Sequence, residues 1–70
     1  MGETMKIFVN GQAREAPDGA SVAELLAQLE LADKPVAVEV NLELVPKSRH
    51  AQTRLAPGDR LEIVTLVGGG

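Results

Sequence analysis

The chain has 70 residues, a formal net charge of -3, one phenylalanine, one histidine, and no cysteine, tryptophan or tyrosine. That size limits it to one domain, and the missing thiol excludes a disulfide framework, a thiolate metal site and a side-chain persulfide. His50 alone would leave a zinc ion dependent on carboxylates; seven Lys and Arg against ten Asp and Glu, with Lys47, Arg49, Arg54 and Arg60 apart, argue against nucleic acid as a partner.

Met5 to Val9 alternates and is rich in strand-favouring residues. Asn10-Gly11 follows as a hairpin signal, because both residues tolerate positive φ. Gln12 to Ala16 reads as the returning strand, ended by the turn Pro17-Asp18-Gly19. Ser21 and Glu24 form a capping-box signature. Val22, Leu25, Leu26 and Leu29 recur at i, i+3, i+4 and i+7, one apolar helix face, and the helix must close before Lys34-Pro35. Val36, Val38 and Val40 alternate with Ala37, Glu39 and Asn41 in a third strand. Leu44-Val45 reads as a short edge strand stopped by Pro46, followed by one helical turn near Ala51 to Thr53. Pro57-Gly58-Asp59 is a turn, and Arg60 to Leu66 is the final strand.

This order predicts a two-layer α+β domain, a mixed four- to five-stranded sheet packed on one amphipathic helix. Its expected core is Ile7, Val9, Val22, Leu25, Leu26, Leu29, Val38, Val40, Leu61 and Ile63. Residues 1–4 read as an N-terminal extension, 5–66 as the domain and 67–70 as a flexible glycine tail. The final strand runs into Gly68-Gly69-Gly70 with no stop signal. Lacking a Cβ, such a thread can enter a channel too narrow for side chains. The four residues beyond Leu66 reach about 13–14 Å, which suits delivery of a terminal carboxylate into another protein's active site. No apolar run approaches the roughly 20 residues that cross a bilayer, and no secretory h-region stands at the start; the expected location is the cytoplasm, without membrane contact.

The same residues carry a family resemblance. A hairpin–helix–strand–strand domain ending in Gly-Gly looks like the ubiquitin-like β-grasp fold. Within it the chain resembles the ThiS family of thiamine-biosynthesis sulfur carriers, through Met5 to Gly11, Val36 to Asn41, Val45-Pro46-Lys47-Ser48, Leu55 to Asp59, and Leu61 to Val64 leading to Val67-Gly68-Gly69-Gly70. It departs from the family at His50, where a larger aromatic is common, and at Leu66, where Phe is frequent. The resemblance implies a carrier, not an enzyme. An E1-like adenylyltransferase would use ATP and Mg²⁺ to activate the carboxylate of Gly70. A cysteine-persulfide donor would convert it to a thiocarboxylate, and thiazole synthase would accept the sulfur. Gly68 and Gly69 would be the slender approach. The chain itself would hold no cofactor and would be a monomer when free. Alternatives are the small subunit of molybdopterin synthase, a ubiquitin-like modifier, and a plain β-grasp protein-binding module with incidental glycines.

Docking needs a surface as well as a tail. Strand alternation sends Phe8 and Val64 to the sheet face opposite Ile7 and Ile63. Phe8, Val64 and Leu66, with Val67, are the expected partner-docking patch beside the tail. Glu39, Glu43 and Glu62 read first as solvated strand charges and second as an acidic rim steering a basic partner. His50 reads as a loop histidine without catalytic role, and Ser48 with His50 lacks the third group of a nucleophile–base set.

Overall fold

A computed structural model describes residues 2–66. Five strands and one α-helix follow in the order β1 (Thr4–Val9), β2 (Gln12–Pro17), α1 (Val22–Gln28), β3 (Val36–Val40), β4 (Glu43–Val45) and β5 (Arg60–Thr65). The sheet order is β2-β1-β5-β3-β4. β5 pairs parallel with β1 and antiparallel with β3, so the last strand in sequence is the middle strand in space. The expected mixed sheet on one helix is what forms, and Glu43–Val45 is a true fifth strand.

Both hairpins close through two-residue turns in which φ is positive at each position: Asn10 (51°) and Gly11 (84°) between β1 and β2, Asn41 (51°) and Leu42 (71°) between β3 and β4. Such turns match the twist of the flanking strands. Each turn also holds β5. Asn10 donates its backbone N–H to Leu61 O, while its side chain donates to Ile63 O (3.1 Å) and accepts from Ile63 N (2.8 Å). Asn41 donates its backbone N–H to Arg60 O, accepts from Arg60 N at 3.0 Å, and donates to Asp59 Oδ1 at 3.0 Å. An asparagine at each hairpin tip thus clips the middle strand, from opposite sides. Leucine has no such excuse for the left-handed region, where its Cβ costs roughly 1–2 kcal/mol.

Helix α1 starts with the expected capping box: Glu24 N donates to Ser21 Oγ and Ser21 N donates to Glu24 Oε1. It stops earlier than proline requires. Leu31 N donates to Leu26 O (2.7 Å) and Glu30 N to Ala27 O (3.0 Å), with Glu30 at φ 63°. This is a Schellman stop with glutamate where glycine is usual, so the residue type alone did not mark it.

Of the expected core, Ile7, Val9, Val22, Leu25, Leu26, Val38, Leu61 and Ile63 are buried. Leu29 and Val40 are only half-buried against that core, because one caps the helix and the other adjoins a hairpin tip. Met5, Ala16, Ala20 and Leu55 complete it. Leu55 comes from the long β4–β5 connection, held by its N–H on Ala20 O and by a bridge between Ser21 and Arg54. The expected helical turn at 51–53 lies earlier, as a 3-10 turn over Lys47–Arg49. Pro46 sets it there, its fixed φ (-64°) and absent N–H suiting the residue ahead of a helical turn.

Candidate functional site

The site expected from the sequence is the end of β5 and the chain beyond it. Thr65 is paired with Val36, and Leu66 N donates to Pro35 O at 2.8 Å. Leu66 is therefore the last anchored residue among those described. Val67, Gly68, Gly69 and Gly70 lie outside the described residues.

Side chains along β5 alternate. Leu61 and Ile63 enter the core, whereas Arg60, Glu62 and Val64 face out on the uncovered side of the sheet. Val64, 56% exposed, lies across from Ala37. Leu66, 51% exposed, turns the corner and lines a cavity of about 240 Å³ with Leu26, Leu31, Val36, Lys47 and His50.

Phe8 occupies the expected face but the wrong end of it. Its partner on β5 is Arg60, and the parallel pairing puts Val64 four residues further on, about 13 Å along the strand. The ring is half-buried, with the Arg60 guanidinium 4.6 Å and the Lys6 ammonium 5.9 Å from its centroid. Those distances fit cation–π contacts. Phe8 therefore does not join Val64 and Leu66 in one patch.

Two other side chains, not singled out in the sequence, are the most exposed large apolar groups among the described residues: Leu42 at 88% and Leu44 at 67%. Leu42 stands at the tip of the β3–β4 hairpin, and Leu44 faces out from edge strand β4 opposite Glu39. Alternation in an edge strand could have found Leu44. Nothing local distinguishes Leu42, because leucine is not a turn residue.

The three glutamates separate. Glu39 and Glu62 are direct cross-strand partners on the open face, where like charges repel. Glu43 is opposite Val40, on the other face of the ladder. His50 is buried and structural: its Nε2–H donates to Val45 O at 3.0 Å and its carbonyl accepts from Ala23 N. Ser48 is exposed on the 3-10 turn, with no hydrogen bond orienting its hydroxyl among the described residues. No helix among the described residues is long and apolar enough to cross a membrane.

A family model described as the ThiS family matches residues 7–70. The chain belongs to the ThiS family. It is 33% identical over 66 residues to the sulfur carrier protein ThiS of Escherichia coli, a match covering 94% of this chain and all of that protein. A solved structure of thiamine biosynthesis protein ThiS from Geobacter metallireducens superposes with a TM-score of 0.80 at 32% identity, covering 94% of this chain and all of that one. The fold is accordingly the ubiquitin-like β-grasp. A thiazole synthase of Paramagnetospirillum magneticum is 47% identical over 66 residues, a match that takes in 94% of this chain but 20% of that protein. The chain thus spans about a fifth of the thiazole synthases it resembles.

Proposed function

We propose that this chain carries sulfur for thiazole formation in thiamine biosynthesis, as a thiocarboxylate on Gly70. The observation that supports it most is a β-grasp domain of the ThiS family whose central strand runs directly into Val67-Gly68-Gly69-Gly70. A carboxylate is a poor electrophile at neutral pH, so it needs a leaving group. An E1-like adenylyltransferase supplies one: a Gly70 oxygen attacks the α-phosphorus of Mg²⁺-bound ATP, and pyrophosphate leaves. The outer sulfur of a partner's cysteine persulfide then displaces AMP at the acyl carbon. A thiol takes the cysteine sulfur from the resulting acyl disulfide, and the thiocarboxylate remains. ATP, Mg²⁺ and the persulfide all belong to partners, since this sequence has neither a phosphate-binding loop nor a cysteine.

Thiazole synthase is the acceptor we assign, supported by relatives of that name that contain a segment like this chain. Val64 and Leu66, both exposed, are the apolar contacts we assign to the partners, together with Val67, which lies outside the described residues. Phe8, at the other end of the open face beneath Arg60 and Lys6, stands apart from these contacts.

The test is an intact mass after incubation with the cognate adenylyltransferase, ATP and a sulfur donor. The expected gain is that of one oxygen replaced by sulfur, abolished by deletion of Gly70 with the fold unchanged. An unchanged mass in a system active on another carrier would overturn the reading. Transfer to molybdopterin synthase, with none to thiazole synthase, would reassign the acceptor.

A further inference from the structure

The dipeptide at the first hairpin tip is chemically reactive as well as suited to its turn. An asparagine amide carbon can be attacked by the backbone nitrogen of the following residue, which closes a five-membered ring. Glycine in second place leaves that nitrogen least shielded, having no Cβ. Both residues of Asn10-Gly11 are exposed, and the space where a Gly11 side chain would stand is open to 4 Å, so water reaches the tip. The fold opposes this chemistry. Both polar atoms of the Asn10 amide are held by one residue of the middle strand: Nδ2 donates to Ile63 O at 3.1 Å and Oδ1 accepts from Ile63 N at 2.8 Å. Those bonds need a planar amide, whereas ring closure makes Cγ tetrahedral and expels Nδ2. Asn41 offers the contrast. It has the same left-handed φ and a similar clip, on Arg60 and Asp59, but Leu42 follows it, and a leucine side chain crowds the attacking nitrogen.

We propose that Asn10 is a deamidation site guarded by β5: it converts when the tip comes off Ile63, and its product cannot restore the clip. Gly11 N gives up its proton and bonds to Cγ, the Cγ–Nδ2 bond breaks, and ammonia leaves with that proton. Water then opens the succinimide at one carbonyl or the other. Overall one water is consumed and one ammonia released, without oxidation or reduction. One opening gives aspartate, whose oxygen stands where Nδ2 stood. It meets Ile63 O with no proton between the two acceptors, at a partly buried position. The other opening gives isoaspartate, which lengthens the backbone of a two-residue turn by one carbon and disturbs the register of β1 with β2. Either product unpins the strand that pairs with both β1 and β3. A small chemical change at the surface is thereby transmitted to the centre of the sheet. The inference stands independently of the carrier reading.

Peptide mass mapping of the full chain, aged at mildly alkaline pH with and without denaturing guanidinium, tests this. The unfolded chain is expected to gain, at Asn10, the mass of an amide nitrogen group replaced by hydroxyl, while Asn41 stays unchanged. The folded chain should convert at least about tenfold more slowly, the factor implied by two hydrogen bonds that must open first. Equal rates in the folded and unfolded chains would overturn the guard, and conversion at Asn41 in preference to Asn10 would overturn the assignment of the site. The consequence is read from Asn10→Asp, which sets the aspartate product directly. Its unfolding midpoint should lie below that of the wild type at neutral pH, and the gap should narrow on acidification, because a protonated carboxyl donates to Ile63 O as the amide does. Folding thus favours the protonated form, and that stability is lost as pH rises through the carboxyl titration. Asn10→Ala, which can neither donate nor titrate, should show no such narrowing. An Asn10→Asp chain as stable as the wild type at neutral pH would overturn the claim that deamidation unpins β5.

Discussion

The two hairpins have nearly the same backbone and different chemistry. Asn10-Gly11 and Asn41-Leu42 both turn in two residues with positive φ, and both asparagines clip β5. The first ends in a residue made for the geometry; the second ends in a leucine that strains it and is exposed. One tip is accounted for by folding. The other retains something the fold would gain by losing.

Substitutions at the four turn positions can break or sharpen that contrast. Asn10→Ala should have the largest effect, about 2–4 kcal/mol from two hydrogen bonds lost at partly buried Ile63 groups and a strained φ. Asn41→Ala should cost about half as much, since water can replace partners on the exposed side. Denaturant midpoints measure both, and equal losses would make the two tips structurally equivalent. Next comes Gly11→Ala. Its new Cβ would meet nothing within 4 Å, so only the φ of 84° resists it, at about 1 kcal/mol. Smallest, and opposite in sign, is Leu42→Gly, expected to stabilise by up to about 1 kcal/mol. A destabilised Leu42→Gly would mean that the side chain has a structural partner, and the contrast would fail.

The same contrast marks how far the fold was legible in the chain. Asn10-Gly11, the Ser21/Glu24 box and the period of α1 are local signals that agree with the final structure, so their elements were readable. Glu30 and Leu42 adopt left-handed φ with residues that do not advertise it, and Leu55 reaches the core from a connection without periodicity. Strand alternation correctly gave the face of Phe8 and Val64. It could not give their separation, because neighbours along a face depend on register between β1 and β5, some 50 residues apart in sequence. The three glycines at 68–70 are a property of the sequence itself and lie outside the described residues, whereas the Leu42 corner emerges only once the hairpin is closed.

The central place of β5 bears on mechanics. A force applied at the end of β5 acts on a strand bonded on both sides, to β1 and to β3, and pinned by Asn10 and Asn41. Such a pull loads the ladders in shear, so their hydrogen bonds share the force instead of opening one after another from an edge. A terminus drawn from an outer strand would peel. Here the loaded strand is an inner one, flanked by β1 and β3.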